Sequence, residues 1–281
     1  MKSSTVLFCA NPETSNEEIE RIANELSQTG QFLAVHVQAV LPTMPLNAYG
    51  GLPYSGLPGA EFWSRELSAA QGSLHGKAEQ VDAILSKTNC SGEVRPVICA
   101  ESGVENAFKL SAKYSDIAIF ASNLCDTPDL MKDLAHGVLF GSPVGLLLNG
   151  GADIAMDRIL IAWDDSPTAA RAVHLALPML KAAQSVTVAC FDPVGMADGE
   201  AFEPGAALSK WLGHHGCKVE IAQFPSGGKE VAVCILERAK ELGADLVVAG
   251  AYGHSRMRQA VFGGTTRSLL EQTGQPVFLA H

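Results

Sequence analysis

The sequence contains an internal repeat, because its two halves show the same order of β-rich and helical segments. This repeat limits the fold more than any other feature. In the second half the strand-like runs, which alternate with stretches of helical periodicity, are 159–163, 186–191, 218–223, 246–250 and 277–280. In the first half the corresponding runs are 6–10, 32–39, 94–99, 117–121 and 144–148. Such alternation predicts parallel sheets built from right-handed βαβ units. We therefore expect an α/β protein with two similar halves, each a five-stranded parallel sheet with helices on both faces.

The two halves join near Asn149, Gly150 and Gly151, where turn-forming residues follow one another. The predicted domains are residues 1–150 and 151–281, both of ordinary domain size. A single ten-stranded sheet is the alternative, which the internal repeat disfavours. Residues 41–59 interrupt the repeat with a segment rich in proline and glycine. That segment is predicted to be a surface loop, with a lid or partner-docking role left open.

Composition and charge narrow the class of protein. The formal net charge of −10 comes without a basic stripe, which argues against nucleic acid as a partner. No apolar run reaches the roughly 18–20 residues of a membrane span, and the first apolar run is too short for a signal peptide. The seven cysteines are scattered without a Cys-x-x-Cys pair, which is typical of reduced thiols. We therefore expect a cytoplasmic protein with no membrane partner.

The residues that follow the strands of the second half carry the clearest chemical signal. In an open parallel sheet, ligands bind beyond the carboxyl ends of the strands, where the strand order reverses. After the first strand, Ser166 and Pro167 are typical of a helix start. The candidate site residues at these strand ends are Asp164, Gly250, Gly253, Gly263, Gly264, Thr265 and Thr266.

These glycines and threonines suit an anionic ligand. Glycine allows the backbone to approach a ligand closely, and the N–H groups that open the following helix can bind an anion. The pattern predicts a phosphate cradle of backbone donors, with Asp164 across the crevice for a ribose or base. Glycines that only shape a turn and cap a helix are the alternative interpretation.

The spacing Gly250-x2-Gly253-x9-Gly263, after a valine-rich strand and before a helix, resembles the signature of the universal stress protein family. The strand that ends at Asp164 resembles that family's first strand and its adenosine-binding aspartate. The whole chain is similar to the tandem members, in which two family domains are fused. The motif itself covers about residues 157–281, whereas the first half matches in the order of its elements.

The resemblance implies two Rossmann-like domains of the adenine nucleotide alpha hydrolase-like type, packed as an intramolecular pseudo-dimer, with a homodimer left open. It implies a stress-response protein that binds ATP, ADP or AMP, with or without Mg²⁺. Asp164 would bind adenosine, and the backbone at or near Cys190 would touch the adenine edge. The residues that would hold the phosphates are Gly250, Gly253, Gly263, Gly264 and Thr265. Gly264 stands where the family usually has Ser or Thr, so Thr265 or Thr266 would have to supply a hydroxyl contact.

The first half departs from this motif. Asn11 replaces the aspartate, and Ala121 and Leu124 replace the two glycines that follow the fourth strand. Leu130 and Met131 fall where paired glycines open the helix in the second half. Because long side chains there would occupy the phosphate position, we predict that this half is a degenerate copy that binds no nucleotide.

Signatures of catalysis and of metal binding are weak in the sequence. It contains no nucleophile elbow, no Walker lysine motif and no dinucleotide-binding glycine motif after the first strand, so no catalytic residue is predicted. His214, His215 and Cys217 are of types that bind zinc, but no second cluster accompanies them, so a surface turn is favoured and no metal site is predicted. The sequence favours a nucleotide-sensing stress protein. A slow ATPase or related nucleotide-dependent enzyme, and a scaffold that binds no nucleotide, are the rival classes.

Overall fold

The computed structural model describes residues 4–41, 58–150, 156–192, 203–253 and 264–281. Contacts divide the chain into two compact units, Met1–Ser142 and Pro143–His281. Most of the predicted loop at 41–59, and Gly263 of the predicted phosphate cradle, lie outside the described residues. Within the described ranges, no helix is both long enough and apolar enough to cross a membrane.

The first unit alternates strands and helices as the repeat predicts. Its elements in chain order are β1 (Thr5–Ala10), α1 (Asn16–Thr29), β2 (Phe32–Leu41), α2 (Pro58–Thr88), β3 (Gly92–Ala100), α3 (Val104–Ala112), β4 (Ile117–Phe120) and α4 (Pro128–Leu139). The strands lie in the order β3-β2-β1-β4 with parallel pairing. α1 packs against α2, and α3 packs against α4. Because right-handed crossovers in opposite directions place helices on opposite faces, the two helix pairs cover the two faces of this sheet.

Helix α1 and strand β1 show how the local sequence sets these elements. Ser15 accepts the amide of Glu18 at 3.2 Å and so caps the first turn of α1, while Gly30 ends the helix with a φ of 70°. The buried residues of α1 recur at helical spacing and are Ile19, Ile22, Ala23 and Leu26. β1 is buried continuously from Val6 to Ala10, as a strand covered on both faces must be.

One titratable side chain lies inside this core. His36 of β2 has no exposed surface; its Nδ1 lies 2.9 Å from Ser111 Oγ and its Nε2 lies 3.0 Å from Gln38 Oε1. Burial lowers the pKa of His36 to about 4, and the Gln38 hydrogen bond and the charge of Arg95 raise and lower it by smaller amounts. The imidazole is therefore neutral in the folded protein near neutral pH.

The second unit contains the five strands predicted for the second half, preceded by β5. Its elements are β5 (Gly145–Leu148), β6 (Arg158–Trp163), α5 (Pro167–Ala182), β7 (Ser185–Phe191), α6 (Ala206–His214), β8 (Val219–Phe224), α7 (Val231–Glu241), β9 (Leu246–Gly250), α8 (Gly264–Glu271) and β10 (Val277–Ala280). The strands lie in the order β5-β10-β9-β6-β7-β8, all parallel except β5, which pairs antiparallel with β10. The five parallel strands predicted for the second half are therefore present as β10-β9-β6-β7-β8, and the antiparallel pairing of β5 with β10 is a feature that the sequence did not predict.

Two apolar strands that fit each other explain this pairing. Leu147 lies opposite Phe278, and every residue of β5 and β10 is buried. A Cβ atom at Gly145 would lie 2.0 Å from Cζ of Phe278, so a glycine is needed for β5 to begin beside that ring. An apolar run in the sequence identifies a strand, but it does not show which strand will pair with it or in which direction.

The strand order of the second unit reverses between β6 and β9. α5 and α6 connect strands from β6 outward to β8, whereas α7 and α8 connect strands on the way back to β10. α5 contacts β9 and β10, and α7 contacts α8. The two helix pairs therefore lie on opposite faces, and a crevice forms beyond the carboxyl ends of β6 and β9.

Candidate functional site

The carboxyl ends of β6 and β9 bring the predicted residues of the second unit to one edge. Ala162 of β6 pairs with Ala249 of β9, so Asp164 and Ala251 leave the sheet side by side. On the other side of β6, Trp163 pairs with Cys190 of β7. The aspartate after β6 and the glycine that ends β9 thus lie together where the strand order reverses.

The segment after β6 is a tight turn that begins α5. Asp164 Oδ1 accepts the amide of Ser166 at 3.0 Å, and Asp165 has a φ of 60°. The hydroxyl oxygen of Ser166 accepts the amide of Ala169 at 3.1 Å, which confirms the helix start predicted from Ser166 and Pro167. The Asp164 carboxylate is therefore held at the edge of the sheet, with one of its oxygens engaged by the turn.

Gly250 and Gly253 lie directly against the first turn of α5. A Cβ atom at Gly250 would lie 2.4 Å from the amide nitrogen of Ala169 and 2.7 Å from the carbonyl carbon of Thr168. A Cβ atom at Gly253 would lie 3.0 Å from Thr168 Oγ1 and 3.2 Å from Ser166 Oγ. Packing therefore gives both positions a reason to be glycine that is independent of a ligand.

Thr266 joins the end of β9 to the first turn of α8. Its hydroxyl oxygen accepts the amide of Tyr252 at 3.0 Å, and the residue is buried. Tyr252 has a φ of 61°, which is uncommon for a residue other than glycine, and burial raises the pKa of its phenol. The Thr266 hydroxyl thus fixes the strand end, while Gly264 and Thr265 reach the surface. Sequence reasoning missed Tyr252, although its place between the two motif glycines is a signal that could have found it.

The first turn of α8 has an unexpected acidic neighbour. A Cβ atom at Gly264 would lie 3.3 Å from Oε1 of Glu230, and the same oxygen accepts the hydroxyl of Ser268 at 2.7 Å. The sequence gives no signal for this contact, because Glu230 comes 38 positions before Ser268 and belongs to no motif. A carboxylate therefore lies beside the helix start that is predicted to hold phosphate.

Cys190 presents its side chain to the interior of the second unit. The residue is buried, and its Sγ would lie 3.4 Å from a Cβ atom at Gly205. Burial is the larger of two causes that raise the pKa of the Cys190 thiol, and the nearby charge of Asp165 is the other. The adenine contact that the resemblance implies would therefore have to come from the backbone of this strand.

The equivalent edge of the first unit is closed by its own side chains. Asn123 Nδ2 donates to Asn11 Oδ1 at 2.8 Å, and the hydroxyl of Thr14 donates to Asn123 Oδ1 at 2.8 Å. The amide of Asn11 donates to Thr14 Oγ1 at 3.0 Å, and the amide of Glu13 donates to Asn11 Oδ1 at 3.1 Å. Asn11 and Thr14 are both buried. The polar groups that follow β1 thus satisfy one another.

Two charged side chains extend this closed network. The buried Lys77 of α2 donates to the carbonyl oxygen of Thr14 at 2.6 Å and to Asn16 Oδ1 at 3.0 Å. Burial lowers the pKa of Lys77, while the charges of Glu13 and Glu17 raise it by smaller amounts. The residues after β4 are tied in as well, because the Glu18 carboxylate accepts the amide and the hydroxyl of Ser122 at 2.9 Å and 2.8 Å.

The hydrophobic replacements of the first half also face its interior. Leu130 and Met131 are the residues that fall opposite the paired glycines; Met131 is buried, whereas Leu130 is half-buried. Leu124, which replaces a motif glycine, is buried. Ala121 follows β4 and is buried too. Buried apolar side chains therefore accompany the hydrogen-bonded polar groups at this edge of the first unit.

Of the three residues of zinc-binding type, His215 and Cys217 are packed against the second unit, whereas His214 is exposed. Within the residues that the structure describes, no group of three His, Cys, Asp or Glu side chains is placed to hold a metal ion. Cys217 is buried, and the ring of His215 lies 4.5 Å from that of Trp211 between centroids. His214 is the last residue of α6. These placements favour the interpretation of this segment as a turn between α6 and β8.

A family model matches the second unit. The model of the universal stress protein family covers residues 156–281, the part of the chain from just before β6 to the end of β10. These residues include Asp164, Cys190 and the glycines of the predicted cradle. No curated protein matches the chain.

Solved structures resemble the fold over almost the whole chain. A universal stress protein from Archaeoglobus fulgidus is 17% identical, and the match covers 98% of this chain and 95% of that chain with a TM-score of 0.64. A putative universal stress protein from Pseudomonas aeruginosa is 15% identical, with coverage of 99% and 92% and a TM-score of 0.52. A functionally unknown protein from the same species is 14% identical, with coverage of 99% and 92% and a TM-score of 0.51. At these identities the matches show the fold, and they confirm the Rossmann-like α/β architecture predicted for this chain.

Proposed function

Because residues 156–281 form a domain of the universal stress protein family, we propose that this chain is a cytoplasmic stress-response protein that binds one adenine nucleotide in its second unit. ATP, ADP or AMP lies at the carboxyl ends of β6 and β9 in this proposal. The adenosine is beside Asp164 and the backbone of β7, and the phosphates point toward the first turn of α8. Mg²⁺ accompanies the nucleotide and is held mainly by its phosphates.

One observation supports the proposal most directly, namely that the three predicted parts of the site converge on one crevice. A Cβ atom at Gly253 would lie 3.2 Å from Ser166 Oγ, so the turn after β6 touches the segment after β9. The 3.0 Å bond from Tyr252 to Thr266 connects that segment to the start of α8. A carboxylate, closely packed glycines and the N–H groups of a helix start are thereby brought together, and these groups suit a ribose and a phosphate.

The first unit acts as a degenerate family domain in this proposal. Its Asn11–Thr14–Asn123 network uses the polar groups that a nucleotide would need, and Leu124 and Met131 are packed inward. Opening the edge would leave these buried groups unsatisfied, at a cost of about 1–3 kcal/mol for each group. We therefore expect one nucleotide per chain.

Nucleotide content and stoichiometry test the proposal. Acid extraction of the purified protein, followed by separation of the released bases, identifies any nucleotide that is retained. Calorimetric titration of the extracted protein with ATP, ADP and AMP should then give one site per chain. Two equivalent sites per chain, or no binding of any adenine nucleotide, would contradict it.

Asp164→Asn locates the site within the second unit. Asparagine keeps an acceptor for the amide of Ser166 but loses the carboxylate charge, so the turn should persist while adenosine binding weakens by roughly 1.5–3 kcal/mol. Asp82→Asn is the matched control, because it removes the same charge from an exposed position on α2 of the first unit. Equal nucleotide dissociation constants for the two variants would show that Asp164 does not contact the adenosine.

The same preparations separate the proposal from its rivals. A slow ATPase would release inorganic phosphate from ATP, and the release would be absent from protein heated beyond its unfolding transition. A scaffold would carry and bind no nucleotide at all. Binding without phosphate release supports a nucleotide sensor.

A further inference from the structure

A carboxylate lies along the first turn of α8, where the proposed function places the phosphates. Glu230 immediately precedes α7, but its side chain makes no cap hydrogen bond to that helix. Its Oε1 instead accepts the hydroxyl of Ser268 at 2.7 Å and would lie 3.3 Å from a Cβ atom at Gly264. Gly264 and Ser268 are one turn apart on the same side of α8. A serine at position 264 would therefore meet this carboxylate, and the residue belongs to α8, whose helical backbone a serine can adopt.

The nearest cations along the chain are engaged with other carboxylates. Lys229 Nζ contacts the two carboxylate oxygens of Glu237 at 2.8 Å and 2.7 Å. Arg267 Nε donates to Glu271 at 2.8 Å. Among the residues that the structure describes, Glu230 forms no salt bridge. Glu230 therefore adds negative charge to a helix start, which is the end of a helix that favours an anion.

We propose that Glu230 determines the phosphate-number selectivity of the adenine nucleotide site, by disfavouring the terminal phosphates of ATP relative to the single phosphate of AMP. This inference rests on the proposed function. The carboxylate already supplies negative charge to the first turn of α8, so each additional phosphate group meets its repulsion. Mg²⁺ binds carboxylate and phosphate oxygens alike and reduces the repulsion between them. The site therefore favours AMP over ATP without Mg²⁺ and discriminates less in its presence.

Parallel titrations of wild type and Glu230→Gln test this inference. Glutamine keeps the shape and the acceptor for Ser268 but removes the charge. Glu220→Gln is the matched control, because Glu220 is exposed near the amino end of β8 in the same unit. The probes are ATP, AMP and inorganic tripolyphosphate, each in EDTA and in Mg²⁺. In EDTA we expect Glu230→Gln to strengthen ATP and tripolyphosphate binding about tenfold and AMP binding much less. In Mg²⁺ the gain for ATP should shrink, and Glu220→Gln should match the wild type throughout.

A second variant tests whether the position of the Glu230 carboxylate matters as well as its charge. Ser268→Ala releases the carboxylate without changing its charge, so it should move the ratio of ATP to AMP affinity in the same direction by a smaller factor. A ratio that responds to Ser268→Ala but not to Glu230→Gln would overturn the inference.

The outcomes separate this inference from the proposed function. If nucleotides bind and their affinity ratio is the same in wild type and Glu230→Gln, the inference is overturned while the proposed function stands. If no nucleotide binds but tripolyphosphate binds Glu230→Gln more tightly than wild type, the proposed function is overturned while the effect of Glu230 on phosphate stands. If none of the three probes binds either protein, both are overturned.

Discussion

Gly250 is a position in the second unit where one added methyl group would meet backbone atoms, so the substitution should be costly. The Cβ atom of Gly250→Ala would lie 2.4 Å from the amide nitrogen of Ala169 and 2.7 Å from the carbonyl carbon of Thr168. Both are backbone atoms of the first turn of α5, so no side-chain rotation relieves the overlap. Since ordinary contacts lie at about 3.5–4.0 Å, β9 and α5 would have to separate by about 1 Å. We expect a loss of about 2–3 kcal/mol in the free energy of unfolding, in the upper part of the range for overpacked cores.

Urea unfolding without nucleotide measures this loss, with the fluorescence of Trp163 and Trp211 as the signal from the second unit. For an m-value of about 2 kcal/mol/M, the midpoint should fall by about 1 M. Gly213→Ala in α6 is the matched control, because no atom lies within 4 Å of its added Cβ atom. Its midpoint should stay the same or rise, since alanine favours a helix more than glycine does. A wild-type midpoint for Gly250→Ala would refute the packing explanation of this glycine.

Two further perturbations concern the first unit. The pKa of His36 is about 6.5 in the unfolded chain and about 4 in the folded protein. Between these two pH values the unfolded chain binds a proton that the folded protein does not. The free energy of unfolding should therefore fall by roughly 3 kcal/mol as the pH drops from about 6.5 to about 4. His36→Gln should remove that part of the pH dependence in urea midpoints between pH 7 and 4, and an equally steep loss in the variant would count against it. Thr14→Val leaves the backbone amide of Asn11 and the side-chain Oδ1 of Asn123 without this hydroxyl partner and should cost about 1–3 kcal/mol. The exposed control Thr29→Val should change stability by less than about 0.5 kcal/mol, and equal urea midpoints for the two valine variants would show that the network contributes nothing.

Local signals account for the part of the fold that the sequence predicts. Apolar runs and helical periodicity place the strands and helices in order, and the Ser166-Pro167 pair marks the start of α5 correctly. The partner of β5 is different in kind, because it depends on the fit between Gly145 and the ring of Phe278, which are far apart in the sequence. Pairing between distant strands leaves no local pattern, so the sequence does not predict the antiparallel pairing of β5 with β10.

The candidate site shows the same division between local and distant information. Spacing locates the glycines and Asp164 at one edge, because strand ends are readable from the sequence. The approach of Glu230 to Gly264 requires α7 to pack against α8, which no spacing reveals. The replacement of aspartate by Asn11 predicts a lost ligand contact, but the bond from Lys77 to Thr14 depends on where α2 crosses the first turn of α1.

The assignment of β5 to the second unit affects where this chain can be divided. A fragment that starts at the repeat boundary, near residue 151, would lack Gly145–Leu148 and would leave β10 with one unpaired side. β10 is four buried apolar residues long, and an uncovered edge of that kind invites pairing with another chain. A second half that begins at Pro143 keeps the pairing between β5 and β10.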